Sequence, residues 1–179
     1  MKRCVQGFLV AVLLAASGFA GLRVYAGVTS TKHNLSVSGP GTVKATSEAE
    51  ICVFCHAPHN ASPSGQLWNR RVGTSYTPYI SSTRKSVAGQ PTGASLLCLS
   101  CHDGTIALGE VLSRATPIPM GGGPLAGNAL LGSNLSDDHP VSFVYDAALV
   151  ALRGELADPS TLVKPSKVRL DSTGQLQCT

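Results

Sequence analysis

The 179 residues include 19 glycines and 11 prolines, but only four phenylalanines, four tyrosines and one tryptophan. So few aromatic side chains cannot dominate a core of ordinary size. Charged residues make up 13% of the chain, which excludes a coiled coil or an acidic disordered tail, and a single long apolar segment excludes a polytopic membrane protein. The length favours one domain. Because aromatic side chains are too few to form its core, another feature has to organise the fold, and the six cysteines and five histidines are the candidate residues for this role.

The first 26 residues have the pattern of a secretory signal peptide. Basic residues precede an apolar run over residues 4–22, and Val24 and Ala26 place small residues where signal peptidase prefers them. We predict cleavage after Ala26 and one mature domain over residues 27–179. An uncleaved anchor helix is the alternative, because an apolar run of this length can span a membrane.

Removal of this segment also removes most of the positive charge. Lys2, Arg3 and Arg23 are three of the 14 basic residues, so 11 remain against 10 acidic residues and the formal net charge falls to +1. This balance provides no electrostatic footprint for nucleic acid, and we expect no nucleic-acid partner. We interpret the basic pairs Arg70–Arg71 and Arg84–Lys85 as solvated loop charges.

Between its cysteine motifs the sequence predicts little regular structure. The Ser/Thr/Gly-rich segment 27–49 is predicted to be extended, and a short helix is predicted to begin within residues 95–100. Residues 118–132 are too rich in glycine for a long element. Asp146 is predicted to cap a helix that ends at Gly154. The expected fold is irregular and coil-dominated, with few short helices and small hairpins packed around a covalently bound cofactor.

Two CxxCH motifs carry the chemistry of this sequence. They consist of Cys52, Cys55 and His56, and of Cys98, Cys101 and His102. In this pattern the two thiols form thioethers with the vinyl groups of a haem, and the adjacent histidine ligates the iron. Covalent attachment suits a small exported protein without a large cavity. We predict that the four thiols hold two haem c groups and that the two motif histidines are the proximal ligands.

Other functions of the cysteine pairs explain less of the pattern. A Cys4 zinc site would have to join pairs that a long segment separates, and zinc gives no reason for a histidine after each pair. Structural disulfides are allowed in an oxidising compartment but leave the same histidines unexplained. A thioredoxin-like redox pair requires a βαβ context that this sequence lacks.

Cys178 stands near the end of the chain, after a predicted hairpin. Two short alternating runs flank Asp171 and Gly174, as in a β-hairpin. We interpret Cys178 as the first thiol of a third CxxCH motif, which would make the sequence a fragment. A lone terminal cysteine, free or paired, is the alternative.

Three further histidines are candidate distal ligands: His33, His59 and His139. His59 follows His56 by three residues, a link that reaches at most ~10 Å, so it is expected to bind a different haem. The proline after His139 favours an extended backbone, and a neighbouring aspartate or carbonyl can orient the ring. For each of the three, a solvated histidine without a metal is the alternative. The sequence does not assign a distal histidine to either iron.

The order of these motifs resembles a known family. The segments are KHNLS (32–36), ICVFCHAPHN (51–60), LWNR (67–70), CLSCHDG (98–104), DHPV (138–141) and QCT (177–179). Together they are similar to multihaem c-type cytochromes of the doubled-CxxCH class, and within it to secreted tetrahaem cytochromes that include filament-forming members. The resemblance implies bis-histidine haems and long-range electron transfer, with His56 and His102 proximal and His33, His59 and His139 distal.

These observations lead to two functional hypotheses. The first is an exported electron carrier, periplasmic or on the outer surface, that exchanges electrons with redox proteins or extracellular acceptors and is able to self-associate into filaments. No membrane span is expected after signal cleavage. The alternative is a haem-dependent periplasmic reductase in which one iron keeps an open position, as catalysis at a metal requires.

Overall fold

The computed structural model describes residues 27–162 and 168–179, and the predicted signal peptide lies outside them. Most of this part of the chain is coil and turn, with two α-helices and two antiparallel ladders of two short strands each. The expected irregular, coil-dominated architecture is confirmed. Within these two ranges no helix combines the length and the apolar character that crossing a membrane requires.

The first ladder joins the segment after the predicted cleavage site to the glycine-rich middle of the chain. Strand β1 (Lys44–Ala45) pairs with β2 (Met120–Gly121), and Ala45 lies opposite Met120. Apart from β2, residues 118–132 contain one 3-10 turn at Gly127–Ala129, so the predicted lack of a long element is confirmed. Segment 27–49 is only partly extended, because it begins with a 3-10 turn and continues through several bends.

Helix α1 (Gly93–His102) carries the second CxxCH motif, as predicted. Its first turn is not capped by Thr92, whose side chain makes no capping hydrogen bond. Instead, Gln177 Oε1 accepts from the backbone N–H of Ser95 at 2.9 Å and from its hydroxyl at 2.8 Å. The chain leaves the helix through Gly104, whose φ of +69° favours glycine. A side chain from the end of the sequence therefore stabilises the start of this helix.

Helix α2 (Ala147–Arg153) has the ends that the sequence predicts. The Asp146 carboxylate accepts from the N–H of Leu149 at 2.9 Å, which satisfies one free donor of the first turn. Gly154 ends the helix in the left-handed conformation.

The predicted C-terminal hairpin is also present. Strand β3 (Arg169–Leu170) pairs with β4 (Leu176–Gln177). The Asp171 carboxylate accepts from the hydroxyl of Thr173 and from the N–H of Gln175, and these hydrogen bonds lower its pKa. The same carboxylate accepts from the amide of Gln177 at 2.8 Å, so the hairpin fixes the glutamine that caps α1.

Two small apolar clusters stand where a single larger core would be expected. The first contains Ala45, Val53, Phe54, Val111 and Ile118, and the second contains Tyr76, Leu99 and Leu135. Met120 packs at the edge of the first cluster. Phe54 and Leu99 lie between the cysteines of the two motifs, so each cluster anchors one motif.

We predict that Gln177→Ala lowers the free energy of unfolding by about 1–2 kcal/mol, because it leaves a helix N–H without its buried acceptor. Gln175→Ala is the control on the same hairpin, because Gln175 Oε1 only accepts an exposed hydrogen bond from Thr92. Denaturant unfolding of the mature protein measures both. Equal losses in the two variants would show that Gln177 has no special capping role.

Candidate functional site

Both CxxCH motifs are oriented in the same way relative to the protein interior. The residues between the cysteines are buried: Val53, Phe54, Leu99 and Ser100. The first cysteine of each motif is exposed and the second is half-buried, and all four are free thiols: Cys52, Cys98, Cys55 and Cys101. Each motif is therefore held from its inner side, with its first thiol exposed and its second half-buried.

The local backbone places the thiols and the histidine of each motif on one side. In the first motif a 3-10 turn over Cys52–Phe54 continues until the N–H of His56 donates to Cys52 O at 2.8 Å. In the second motif Cys98, Cys101 and His102 stand at helical spacing on α1, and residues three or four apart share a helix face.

The four motif thiols do not form a zinc centre. In the described ranges, no three side chains of His, Cys, Asp or Glu come close enough together to hold a metal ion by themselves. The free state of the cysteines also means that no disulfide joins the two motifs. The two alternatives that bring cysteines together are thus not formed in this structure.

Asn69 fixes the first motif from the inner side. It is fully buried, and its side-chain amide donates to Val53 O at 2.6 Å and to the hydroxyl of Ser113 at 2.8 Å. Asn69 Oδ1 accepts from the N–H of Ser113 at 2.9 Å, and the backbone N–H of Asn69 donates to Cys55 O. One asparagine therefore connects the first motif to the segment after the second.

The prediction that Arg70 is a solvated loop charge is wrong. The exposed fraction of its side chain is 0%, whereas Arg71 is exposed as predicted. The guanidinium donates to five backbone carbonyls at 2.7–3.3 Å, those of Ser100, Ile106, Ala107, Leu108 and Glu110. These acceptors lie 30 to 40 residues further along the chain, so local sequence gives no sign of them.

The second thiols of the two motifs share an electrostatic environment. Burial raises the pKa of Cys55, and the nearby Cys101 thiol raises it further. Burial also raises the pKa of Cys101. In both cases the positive charge of Arg70 acts in the opposite direction. The second cysteines of the two motifs are therefore neighbours, and Arg70 is close to both.

The structure places His33 against the histidine of the second motif. The ring centroids of His33 and His102 are 6.1 Å apart, with an angle of 74° between the ring planes. His102 Nδ1 lies 2.7 Å from Ala129 O, to which a protonated Nδ1 donates. This hydrogen bond leaves Nε2 free as a ligand, the usual arrangement of a metal-bound histidine. The pairing of His33 with His102 could not be predicted from the sequence, because the two residues meet only through the tertiary fold.

An open groove of about 740 Å³ lies beside the first motif, lined by Cys52, His56 and Leu67 among others. Its volume is within the range of about 300–1,000 Å³ typical of cofactor sites. Leu67 is 54% exposed and has a φ of +54°, which is uncommon for leucine. The Trp68 ring meets the His56 ring edge-on at 6.0 Å, and its buried indole N–H has no acceptor among the described residues.

The C-terminal hairpin places Cys178 beside the second motif, a contact that the sequence did not predict. The Cys178 N–H donates to the Ser95 hydroxyl at 3.0 Å. A hydrogen bond from the Cys98 thiol lowers the pKa of Cys178 to about 6 and raises that of Cys98. That Cys178 begins a third motif remains a prediction.

The last two candidate ligands lie apart from the rings of His33 and His102. His139 lines a second groove of about 590 Å³ together with Phe143, Leu176 and Cys178. A carbonyl orients its ring, as expected, since Nδ1 lies 3.0 Å from Pro140 O. His59 is exposed and does not line the groove that contains His56. The ligand roles of both histidines stay predictions.

We predict that Asn69→Ala destabilises the mature protein by about 2 kcal/mol, because it leaves the buried carbonyl of Val53 and the N–H of Ser113 without partners. Asn128→Ala is the control, because Asn128 is exposed in a 3-10 turn. Thermal unfolding of both variants gives the comparison. A loss no larger than that of the control would contradict the role of Asn69 as a connection between the motifs.

No protein-family model matches this chain, and no curated protein matches it at a significant level. The resemblance to the doubled-CxxCH cytochromes therefore depends on the motifs themselves. The function has to be argued from the orientation of the thiols, the environment of the two motif histidines and the surfaces beside them.

Proposed function

We propose that this chain is an exported multihaem c-type cytochrome that relays electrons. Its thiols at Cys52 and Cys55, and at Cys98 and Cys101, would each bind one haem covalently. The observation that carries this proposal is the shared orientation of the two motifs, with the intervening residues buried, the first thiol exposed and the second half-buried. Structural cysteines would be expected to pair or to point into the core, whereas thiols that bind a large cofactor must be accessible from outside.

The second motif fits a haem iron with two histidine ligands. With metal–nitrogen bonds of about 2 Å and about 1 Å from each nitrogen to its ring centre, two imidazoles on opposite sides of one metal have centres about 6 Å apart. The 6.1 Å between His33 and His102 matches this spacing. The carbonyl of Ala129 would fix the tautomer and orientation of His102. This match supports His33 as the distal partner of His102.

The first motif fits a haem through its apolar surface. The exposed Leu67 side chain and the groove beside His56 would cover one face of a macrocycle.

The residues around each site would bind and orient the haem, and the iron would carry the electron. A haem supplies an iron that gains and loses one electron. His33 and His102 would both ligate the same iron, which would leave that iron without an open position for a substrate. The adjacent second thiols, Cys55 and Cys101, would hold the two haems close together. Electrons could then pass between them and on to redox proteins or extracellular acceptors.

Export is part of the same proposal. The pattern of residues 1–26 is that of a secretory signal, and covalent haem attachment takes place outside the cytoplasm in bacteria. A periplasmic or outer-surface location follows. Self-association into filaments is a further proposal that depends on the resemblance alone.

Low-spin spectra test relay against reductase function. We predict that the matured protein is low-spin at every haem and does not change with carbon monoxide or cyanide. His33→Ala should convert one haem to a high-spin form that binds carbon monoxide, because it removes the distal imidazole. Lys32→Ala is the control, because Lys32 is exposed and its substitution leaves the neighbouring His33 imidazole in place.

Two results would overturn parts of this proposal. A high-spin, carbon monoxide-binding fraction in the unchanged protein would favour a reductase with an open iron. An unchanged low-spin spectrum in His33→Ala would show that His33 is not the distal ligand of the second haem.

A further inference from the structure

Arg70 is a buried cation without an anionic partner. The three ion pairs within the described ranges involve Arg114 and Arg153, and the guanidinium of Arg70 meets only backbone carbonyls. Its shortest hydrogen bond is 2.7 Å, from Nη1 to Leu108 O. Removing a charge from water without a counter-ion carries a large desolvation cost, which carbonyl dipoles offset only in part. The positive charge at this position therefore calls for a specific explanation.

Arg70 differs from its neighbour Asn69 in two ways. Its guanidinium has five N–H donors where an amide has two, which lets it reach five carbonyls, and it carries a full positive charge. The hydrogen bonds need only the donors, so the charge is a separate property with its own effect. Since protein interiors screen charges far less than water does, this charge acts on its surroundings over several ångströms.

The surroundings of Arg70 are the two haem-attachment motifs. Ser100, which accepts two of its hydrogen bonds, lies between Cys98 and Cys101. The positive charge of Arg70 also opposes the rise that burial causes in the pKa of Cys101 and of Cys55. A single fixed cation is thus adjacent to the inner side of both motifs.

We propose that Arg70 is a positioning residue whose charge raises the reduction potentials of the haems bound at both motifs. This inference rests on the proposed function. Each iron takes up one electron from a redox donor and passes from Fe(III) to Fe(II), and no bond forms or breaks and no proton moves. The oxidised haem carries one more positive charge than the reduced haem. A nearby cation therefore disfavours the oxidised form.

The expected size follows from Coulomb's law. A unit charge roughly 10 Å from the iron, at an effective dielectric constant of about 20, changes the ratio of reduced to oxidised haem about tenfold. For a one-electron couple this corresponds to about 59 mV. Because Arg70 is buried, salt in the solvent screens its effect much less than that of an exposed charge.

An optical redox titration of the matured protein tests the inference with three variants. Arg70→Gln removes the charge and keeps some hydrogen bonds. At a given potential, the ratio of reduced to oxidised haem should therefore fall about tenfold at both motifs, which lowers both reduction potentials by about 59 mV. Arg71→Gln makes the same change in net charge at the next, exposed position, and should leave both potentials nearly unchanged. Arg70→Lys keeps the charge but loses most of the hydrogen bonds, and should stay close to the unchanged protein.

The variants separate a charge effect from a purely structural one. Potentials in a folded Arg70→Gln that match those of Arg71→Gln would overturn the inference. If Arg70→Gln does not accumulate as folded protein, Arg70→Lys provides the test. Potentials close to those of the unchanged protein support the charge effect, and potentials lower by about 59 mV contradict it. A protein that carries no covalent haem would instead contradict the proposed function.

Discussion

The structure depends on two adjacent buried side chains, Asn69 and Arg70. Asn69 binds the backbone of the first CxxCH motif, and Arg70 binds the backbone of the second together with the loop that follows it. Regular secondary structure contributes little, because the strands contain two residues each. In this fold, polar side chains that donate to backbone carbonyls connect distant segments, as the hydrogen bonds between strands do in other folds. Both motifs are held in this way from their buried side, and the first thiol of each stays exposed.

The aromatic-poor composition has a structural counterpart in the two separate clusters. Phe54 is fully buried in one and Leu99 almost fully in the other, and neither cluster is large. Several apolar side chains remain exposed beside the candidate sites, such as Leu67 near His56 and Leu131 in the groove of His139. Covalent haems at the two motifs would cover surfaces of this kind. On this account the cofactor supplies much of the apolar interior.

Local patterns in the sequence predicted local structure well. Asp146 and Gly154 define a helix because capping depends on neighbouring residues, and the turn at Asp171 forms the predicted hairpin for the same reason. The candidate thiols and histidines could likewise be identified from spacing alone. Contacts between distant segments could not. The carbonyls around Arg70, the capping of α1 by Gln177 and the approach of His33 to His102 arise only when the chain folds.

The proposed function depends above all on covalent attachment of haem at both motifs. The intact mass of the exported chain tests this attachment, if the chain is produced in a cell with c-type haem maturation and denatured before analysis. We expect a mass equal to that of the mature chain plus two haem groups, because thioether bonds survive unfolding. A denatured chain without haem, with Cys52, Cys55, Cys98 and Cys101 intact, would contradict it.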